Sequence, residues 1–334
     1  MPDDDVSAQP TNPSDPADRP LGVLVGVDGS DQSVRALLYA ARAARRLQRP
    51  LTVVTAYTVP NLAYSDVSTS PTVPAEVARL AAAQELLESA RQHLEGYPGE
   101  VDLRTEHGDA AGVLVRMSAE ARLVVVGARG RGGFLGRLLG SVSSALPAHA
   151  HCPTVVVPRH YEAGEATGPA RFTPRDEDTP VLVGADGSTH GERTIRHAVV
   201  AARTRQAPLH LLRVIPAFED WGGASMAWLP DLELLDRHRD QVAAQLEEEA
   251  AALRAEHPDL TITCEAVMGE AVNELLARTP TSQLTVLGTR GHGRLASTLL
   301  GSVSQSVLQR AEGPVMVVPP QCSEDPEADE ERPR

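Results

Sequence analysis

Apolar residues along this chain fall into two alternating kinds of run. Short β-branched runs at 22–27, 51–57, 101–107, 124–126 and 154–157 read as buried strands. Between them the apolar spacing turns helical. Residues 33–47 place Val34, Leu37, Leu38 and Ala41 on one face, 74–94 is alanine-rich, and 110–121 forms a third helical stretch. A Pro-, Ser- and Thr-rich loop at 61–73 interrupts the series. The second half repeats it: strands at 181–185, 209–215, 261–267 and 315–318, with helices running to about 205, over 232–256 and from 271. Strands alternating with helices predict an α/β protein of two tandem doubly wound domains, each a five-stranded parallel sheet covered on both faces.

One stretch carries chemistry and occurs twice. Residues 123–144 read LVVVGARGRGGFLGRLLGSVSS and residues 284–305 read LTVLGTRGHGRLASTLLGSVSQ. Gly127, Gly130 and Gly140 recur as Gly288, Gly291 and Gly301, each displaced by 161 positions, with Arg129 and Arg290 matched inside. A lone glycine loop is a weak signal, but two in one register mark a duplication. The grammar is strand, glycine loop, helix start, with Ser141 and Ser302 expected as N-caps. Glycines allow close backbone approach to an anion, and the N–H groups of a helix start supply donors and a positive dipole end, so the arrangement suits phosphate. The loop follows the fourth strand of each half, whereas a dinucleotide-binding domain carries it after the first.

Composition narrows the picture. A length of 334 residues fits two domains. No apolar run reaches the length of a membrane span, the Asp/Pro/Ser-rich start does not resemble a secretory signal, and Cys152, Cys264 and Cys322 are too scattered for a zinc site. A cytoplasmic location is therefore expected. The net charge is −14, but residues 1–20, 321–334 and 159–179 carry −4, −4 and −2 of it, leaving about −4 on the expected domains. No basic stripe supports nucleic-acid binding. All 31 basic residues are arginine. Without lysine there is no Walker-type phosphate loop and no Schiff-base chemistry.

These residues resemble the universal stress protein family. Its pattern of G-x-x-G, nine residues, then G-[ST] is met by Gly127, Gly130, Gly140 and Ser141, and again by Gly288, Gly291, Gly301 and Ser302. An aspartate closes the first strand of each half, in Val27-Asp28 and Ala185-Asp186, and a late Pro-Val-x-V strand is approximated at 153–157 and met at 314–318. The resemblance spans both halves. It implies an adenine nucleotide alpha hydrolase-like sheet of order 3-2-1-4-5 with ATP at the carboxyl ends of strands 1 and 4. Carried over by position, Gly26, Asp28, Gly184 and Asp186 would lie near ribose or phosphate, and Ala56 and Val214 would meet adenine through backbone groups. The segments from Gly127 through Arg129 to Gly130, and from Gly288 through Arg290 to Gly291, would wrap ribose and phosphates. Ser141, Val142 and Ser143, with Ser302, Val303 and Ser304, would donate to phosphate oxygens.

The resemblance thus implies an ATP-binding regulator of the stress response, with or without Mg²⁺, acting on a protein partner that the sequence does not name. A slow Mg-dependent ATPase and a nucleotide-independent interaction module are the competing readings. The expected layout is a tail at 1–19, domains at 20–158 and 180–319, a linker at 159–179 and an acidic tail at 320–334. The apolar fifth strands, 154–157 and 315–318, are expected to pair with each other, because unpaired apolar edges are an aggregation hazard. That pairing makes a pseudo-dimer within one chain, and a homodimer of chains is a further expectation. Gly130 is expected to need φ > 0. Asp28 and Asp186 also read as plain D-G-S turn residues, Arg129, Arg131, Arg290, His292 and Arg294 as exposed charges or polar groups, Cys152 as a small core residue, and Trp221 and Trp228 as loop anchors. His149, His151 and His160 match no standard metal spacing.

Overall fold

The structure, a computed structural model, describes residues 19–59, 75–131, 139–161, 166–174, 178–216, 232–289, 300–322 and Pro326. The first half runs β1 (Val23–Gly26), α1 (Asp31–Leu47), β2 (Leu51–Tyr57), α2 (Ala75–His93), β3 (Val101–His107), α3 (Ala110–Met117), β4 (Leu123–Gly127), α4 (Ser141–His149) and β5 (Thr154–Val157). The second half runs β6 (Val181–Gly184), α5 (Thr189–Arg205), β7 (Leu209–Ile215), α6 (Leu232–Glu256), β8 (Ile262–Met268), α7 (Ala271–Arg278), β9 (Leu284–Gly288), α8 (Ser302–Arg310) and β10 (Val315–Val318).

Each half has the order expected from the resemblance, and the two sheets fuse. The strands form one ten-stranded sheet, β3-β2-β1-β4-β5-β10-β9-β6-β7-β8, parallel within each half. The fusion lies at the expected seam: β5 and β10 pair antiparallel, with Val156 opposite Val315 and Val155 opposite Met316. All eight residues of the two strands are buried, so pairing removes two apolar edges at once. Helices α1, α2, α5 and α6 cover one face, where Leu37, Leu87, Ile195 and Leu246 meet Val25 and Val183. The opposite face packs Leu114 of α3, Leu146 of α4, Leu275 of α7 and Val307 of α8 on Val124, Val126 and Leu287.

Helix starts explain local boundaries. Ser30 caps α1 by accepting the Ser33 N–H, and Ser188 caps α5 by accepting the Gly191 N–H. The first helix therefore starts at Asp31, two residues ahead of the apolar pattern. Both helices end on a left-handed glutamine, Gln48 and Gln206. The middle of the expected linker is not free chain. A short turn at Gly168–Phe172 seats Phe172, wholly buried, edge-on to Tyr97 at 5.3 Å. Arg42 of α1 donates its Nε–H to Arg171 O at 2.8 Å, fastening the turn to the first half.

Candidate functional site

Because β1 pairs with β4 in register, Val25 opposite Val125, the turn after β1 and the loop after β4 emerge side by side. The same juxtaposition follows from β6 and β9 in the second half. These are the carboxyl ends of parallel strands, flanked by the ends of β2 and β7, where a doubly wound sheet offers its crevice.

The turns are identical in the two halves. Asp28 Oδ1 accepts the Ser30 N–H at 3.0 Å and the Ser30 hydroxyl at 2.7 Å. Asp186 and Ser188 repeat both distances. The glycine between them adopts φ +77° in each copy, Gly29 and Gly187, a left-handed conformation that glycine takes without strain. The turn reading of both aspartates therefore holds, and it uses one carboxylate oxygen. In the first half the other reaches the glycine loop, where Asp28 Oδ2 accepts the Arg131 N–H at 2.8 Å. Burial pushes the Asp28 carboxyl up, but hydrogen bonds from Ser30 and Arg131 outweigh it and hold the group below its usual range.

Gly130 lies against this carboxylate: a Cβ there would collide with Asp28 Oδ2. Its φ is not positive, contrary to expectation. Close approach is what demands glycine at this position, and the left-handed glycine of the site is Gly29. Gly127 is also a close-approach residue, since its Cβ would stand 3.0 Å from Gln32 O in the first turn of α1. Gly26 and Gly184 make room for leucines, Leu114 at 2.8 Å and Leu287 at 3.0 Å from the position a Cβ would take. Arg131, expected as an exposed charge, also lays its guanidinium against Gly29.

The far end of the loop is clamped to its start. Gly140 N–H donates to Ala128 O at 3.0 Å, and Gly301 N–H to Thr289 O at 2.7 Å. The Ser143 hydroxyl donates to Ala128 O at 2.8 Å, and the Ser304 hydroxyl to Gly288 O at 2.6 Å. Both serines are buried, whereas Ser141 and Ser302 are exposed and Val142 and Val303 half-buried. The N-caps of α4 and α8 are Gly140 and Gly301, not Ser141 and Ser302, and no side chain among the described residues caps either helix. The return bond across the loop sets the cap, extending Gly140 to φ −70° and ψ 165°. Both helices thus open on first-turn N–H groups without a described side-chain acceptor, beside the loop mouth.

Ala56 and Val214 sit half-buried near the ends of β2 and β7, where they pair with Glu106 and Val267. Arg129 is half-buried beside Gly140, with its Cα 3.6 Å from where a Gly140 Cβ would stand. Arg290, Gly291, His292, Arg294, Trp221 and Trp228 lie outside the described residues. Cys152 is a core residue as expected, its thiol pushed up to about 12 by burial. Among the described residues no group of three or more His, Cys, Asp or Glu is placed to hold a metal ion, and no helix is long and apolar enough to cross a membrane.

The two sites are not copies in every contact. At the position of Gln32 the second half has His190, whose Nε2 accepts the Thr289 N–H at 3.2 Å. In the first half the matching amide, Ala128 N–H, donates to Val157 O. Arg213, which replaces Thr55, is buried beside Gly187, donates to Ala185 O at 3.0 Å and pairs with Glu249 at 2.8 Å. The first half carries glutamine and threonine at these two positions, so the repeat in the sequence does not reveal either residue.

Known proteins share the sequence pattern and the fold. Residues 22–158 and 179–319 each match the sequence profile of the universal stress protein family. A universal stress protein of Mycobacterium tuberculosis H37Rv is 33% identical over 308 residues, covering 89% of this chain and 96% of its own. One from Mycobacterium bovis is 31% identical over 305 residues, again covering 89% and 96%. In fold, the chain is similar to a universal stress protein from Archaeoglobus fulgidus, with a TM-score of 0.62 at 20% identity, covering 89% of this chain and 96% of that one.

Proposed function

Since the chain belongs to the universal stress protein family, we propose that it binds one ATP in each half and acts as a nucleotide-dependent regulator in the stress response. The observation that carries this reading is the pair of uncapped helix starts. Gly140 and Gly301 give the first-turn N–H groups of α4 and α8 no side-chain acceptor among the described residues, while the neighbouring α1 and α5 are capped by Ser30 and Ser188. Aligned N–H donors at a positive dipole end favour phosphate. Gly130 lets the loop lie close against Asp28, because a Cβ there would collide with the carboxylate.

Roles follow from charge and hydrogen-bonding capacity. The backbone N–H groups of Ser141, Val142 and Ser143, and of Ser302, Val303 and Ser304, would take phosphate oxygens. The Ser143 and Ser304 hydroxyls spend their protons on loop carbonyls. An ionised Asp28 repels phosphate and accepts from hydroxyls, so Asp28 and Asp186 would face ribose. Ala56 and Val214 would border adenine, and Arg129 and Arg290 would add charge at the phosphates. Mg²⁺, where bound, would neutralise phosphate charge, and Asp28 and Asp186 are the carboxylates that could hold it.

Holding ATP does not entail splitting it. Hydrolysis needs an oriented water, a base, and charge stabilisation that strengthens in the transition state. The site supplies donors that grip ground and transition states alike, and no lysine. Turnover below about one per minute is therefore expected, far under the median enzyme rate near 10 per second. Chromatography of the nucleotide released from freshly purified, denatured protein tests the reading: ATP is the expected species. Empty protein that also fails to bind added ATP would favour the interaction module. Sustained phosphate release abolished by Asp28→Ala with Asp186→Ala would favour the ATPase.

A further inference from the structure

Beside the seam where β5 pairs with β10, a cavity of about 510 Å³ lies between the first half's glycine loop and the last turn of α8. Ala128 and Leu139, at the two ends of the described loop, line one side. Arg310 and Glu312 of the second half line the other, with Arg159 from the chain that follows β5. Leu139 precedes Gly140, the N-cap of α4, so the cavity adjoins the first-turn N–H groups assigned above to phosphate. Arg159 and Arg310 are exposed, and neither guanidinium makes a hydrogen bond or ion pair among the described residues. The second half is not equipped in the same way. At the displacement of 161 positions, Pro320 stands for Arg159 and His149 for Arg310.

Guanidiniums meet phosphate oxygens with paired N–H donors, which makes arginine the natural partner of a phosphate chain. A nucleoside monophosphate places its one phosphate at the helix start and sends no charge further. A triphosphate has two more phosphate groups to seat, and beside the first loop the space that adjoins α4 carries these two cations. We infer that Arg159 and Arg310 hold the outer phosphates of ATP in the first half. The second half thereby lends a binding residue to the first-half site, and the two sites differ in preference: the first selects triphosphate over monophosphate more strongly than the second. This deepens the proposed function and rests on nucleotide binding at the glycine loops. Both side chains are exposed, so the contribution is modest and weakens with salt.

Calorimetric titration of the full chain with ATP and with AMP tests this. Arg310→Gln should weaken one ATP equivalent about fivefold, leave the other unchanged, and shift AMP less than about twofold. Arg159→Gln lies off α8, should act alike, and decides the matter alone if the first variant disturbs the helix end. The weakening should shrink at about 0.5 M salt. In Gly130→Val, which is expected to keep only the second site, adding Arg310→Gln should change nothing. Two ATP equivalents of unchanged affinity in both variants would overturn the inference and leave nucleotide binding intact. An equal loss for AMP would overturn the assignment to outer phosphates, and an equal loss at both equivalents the assignment to the first half. A native chain that binds no ATP would instead refute the proposed function, and this inference with it.

Discussion

Ser143 and Ser304 are the residues at which sequence pattern and geometry diverge most usefully. By position they look like phosphate donors, yet each hydroxyl is buried and gives its proton to a loop carbonyl. In Ser143→Ala, Ala128 O keeps its bond from Gly140 N–H, so the loss is one neutral hydrogen bond, about 1 kcal/mol. Ser304→Ala removes the shorter bond to Gly288 O and should cost about the same or slightly more. The sites are in separate halves, so the double variant should lose about 2 kcal/mol by additivity. Urea denaturation should show a lower midpoint with an unchanged slope. ATP affinity, measured on the same variants, should change less than about threefold. Had the hydroxyls donated to phosphate, a charge-assisted bond of about 1.5–3 kcal/mol would be lost, a weakening of tenfold or more. Tenfold weaker binding with an unmoved urea midpoint would refute the clamp assignment.

Other outcomes follow from the same contacts. Gly130→Val drives a side chain into the Asp28 carboxylate, and ATP stoichiometry should fall from two to one while the second half still binds; two retained equivalents would contradict it. The folded-state pKa of Asp28 is lowered from 3.8, so its contribution to stability is present above that value and is lost as pH falls through the folded value. Melting curves of the native protein and Asp28→Asn should therefore stand apart at neutral pH and converge below about pH 4; a gap that widens on acidification would be inconsistent with this. At the seam, Val155→Glu buries a charge at a position with 0% exposure and should cost more than about 3 kcal/mol, whereas Val77→Glu, 53% exposed on α2, should be nearly neutral; equal melting points would argue against the seam.

Much of the architecture was legible because it is written in periods and copies. The β-branched runs gave the strands, the 161-residue displacement gave the duplication, and two apolar fifth strands with no partner of their own implied each other. What the sequence hid depends on contacts between distant residues. Ser141 has the composition of an N-cap, but the bond from Gly140 N–H to Ala128 O, twelve residues back, moves the cap to the glycine. Gly130 was expected to be left-handed from its loop. Its constraint instead comes from Asp28, about a hundred residues earlier, while the left-handed glycine sits in the D-G-S turn. Residues 159–179 carry the charge of a linker, yet Phe172, one of three phenylalanines in the chain, pins their middle under Tyr97. His190 and Arg213 were invisible because attention to matched positions discards what only one half possesses.

The central claim is one ATP in each half, and native mass spectrometry of the full chain with a modest excess of ATP tests it most directly. The account predicts a dominant species carrying two nucleotides, reduced to one in Gly130→Val. A chain that stays free of nucleotide, or that loses both together on that single substitution, would contradict it.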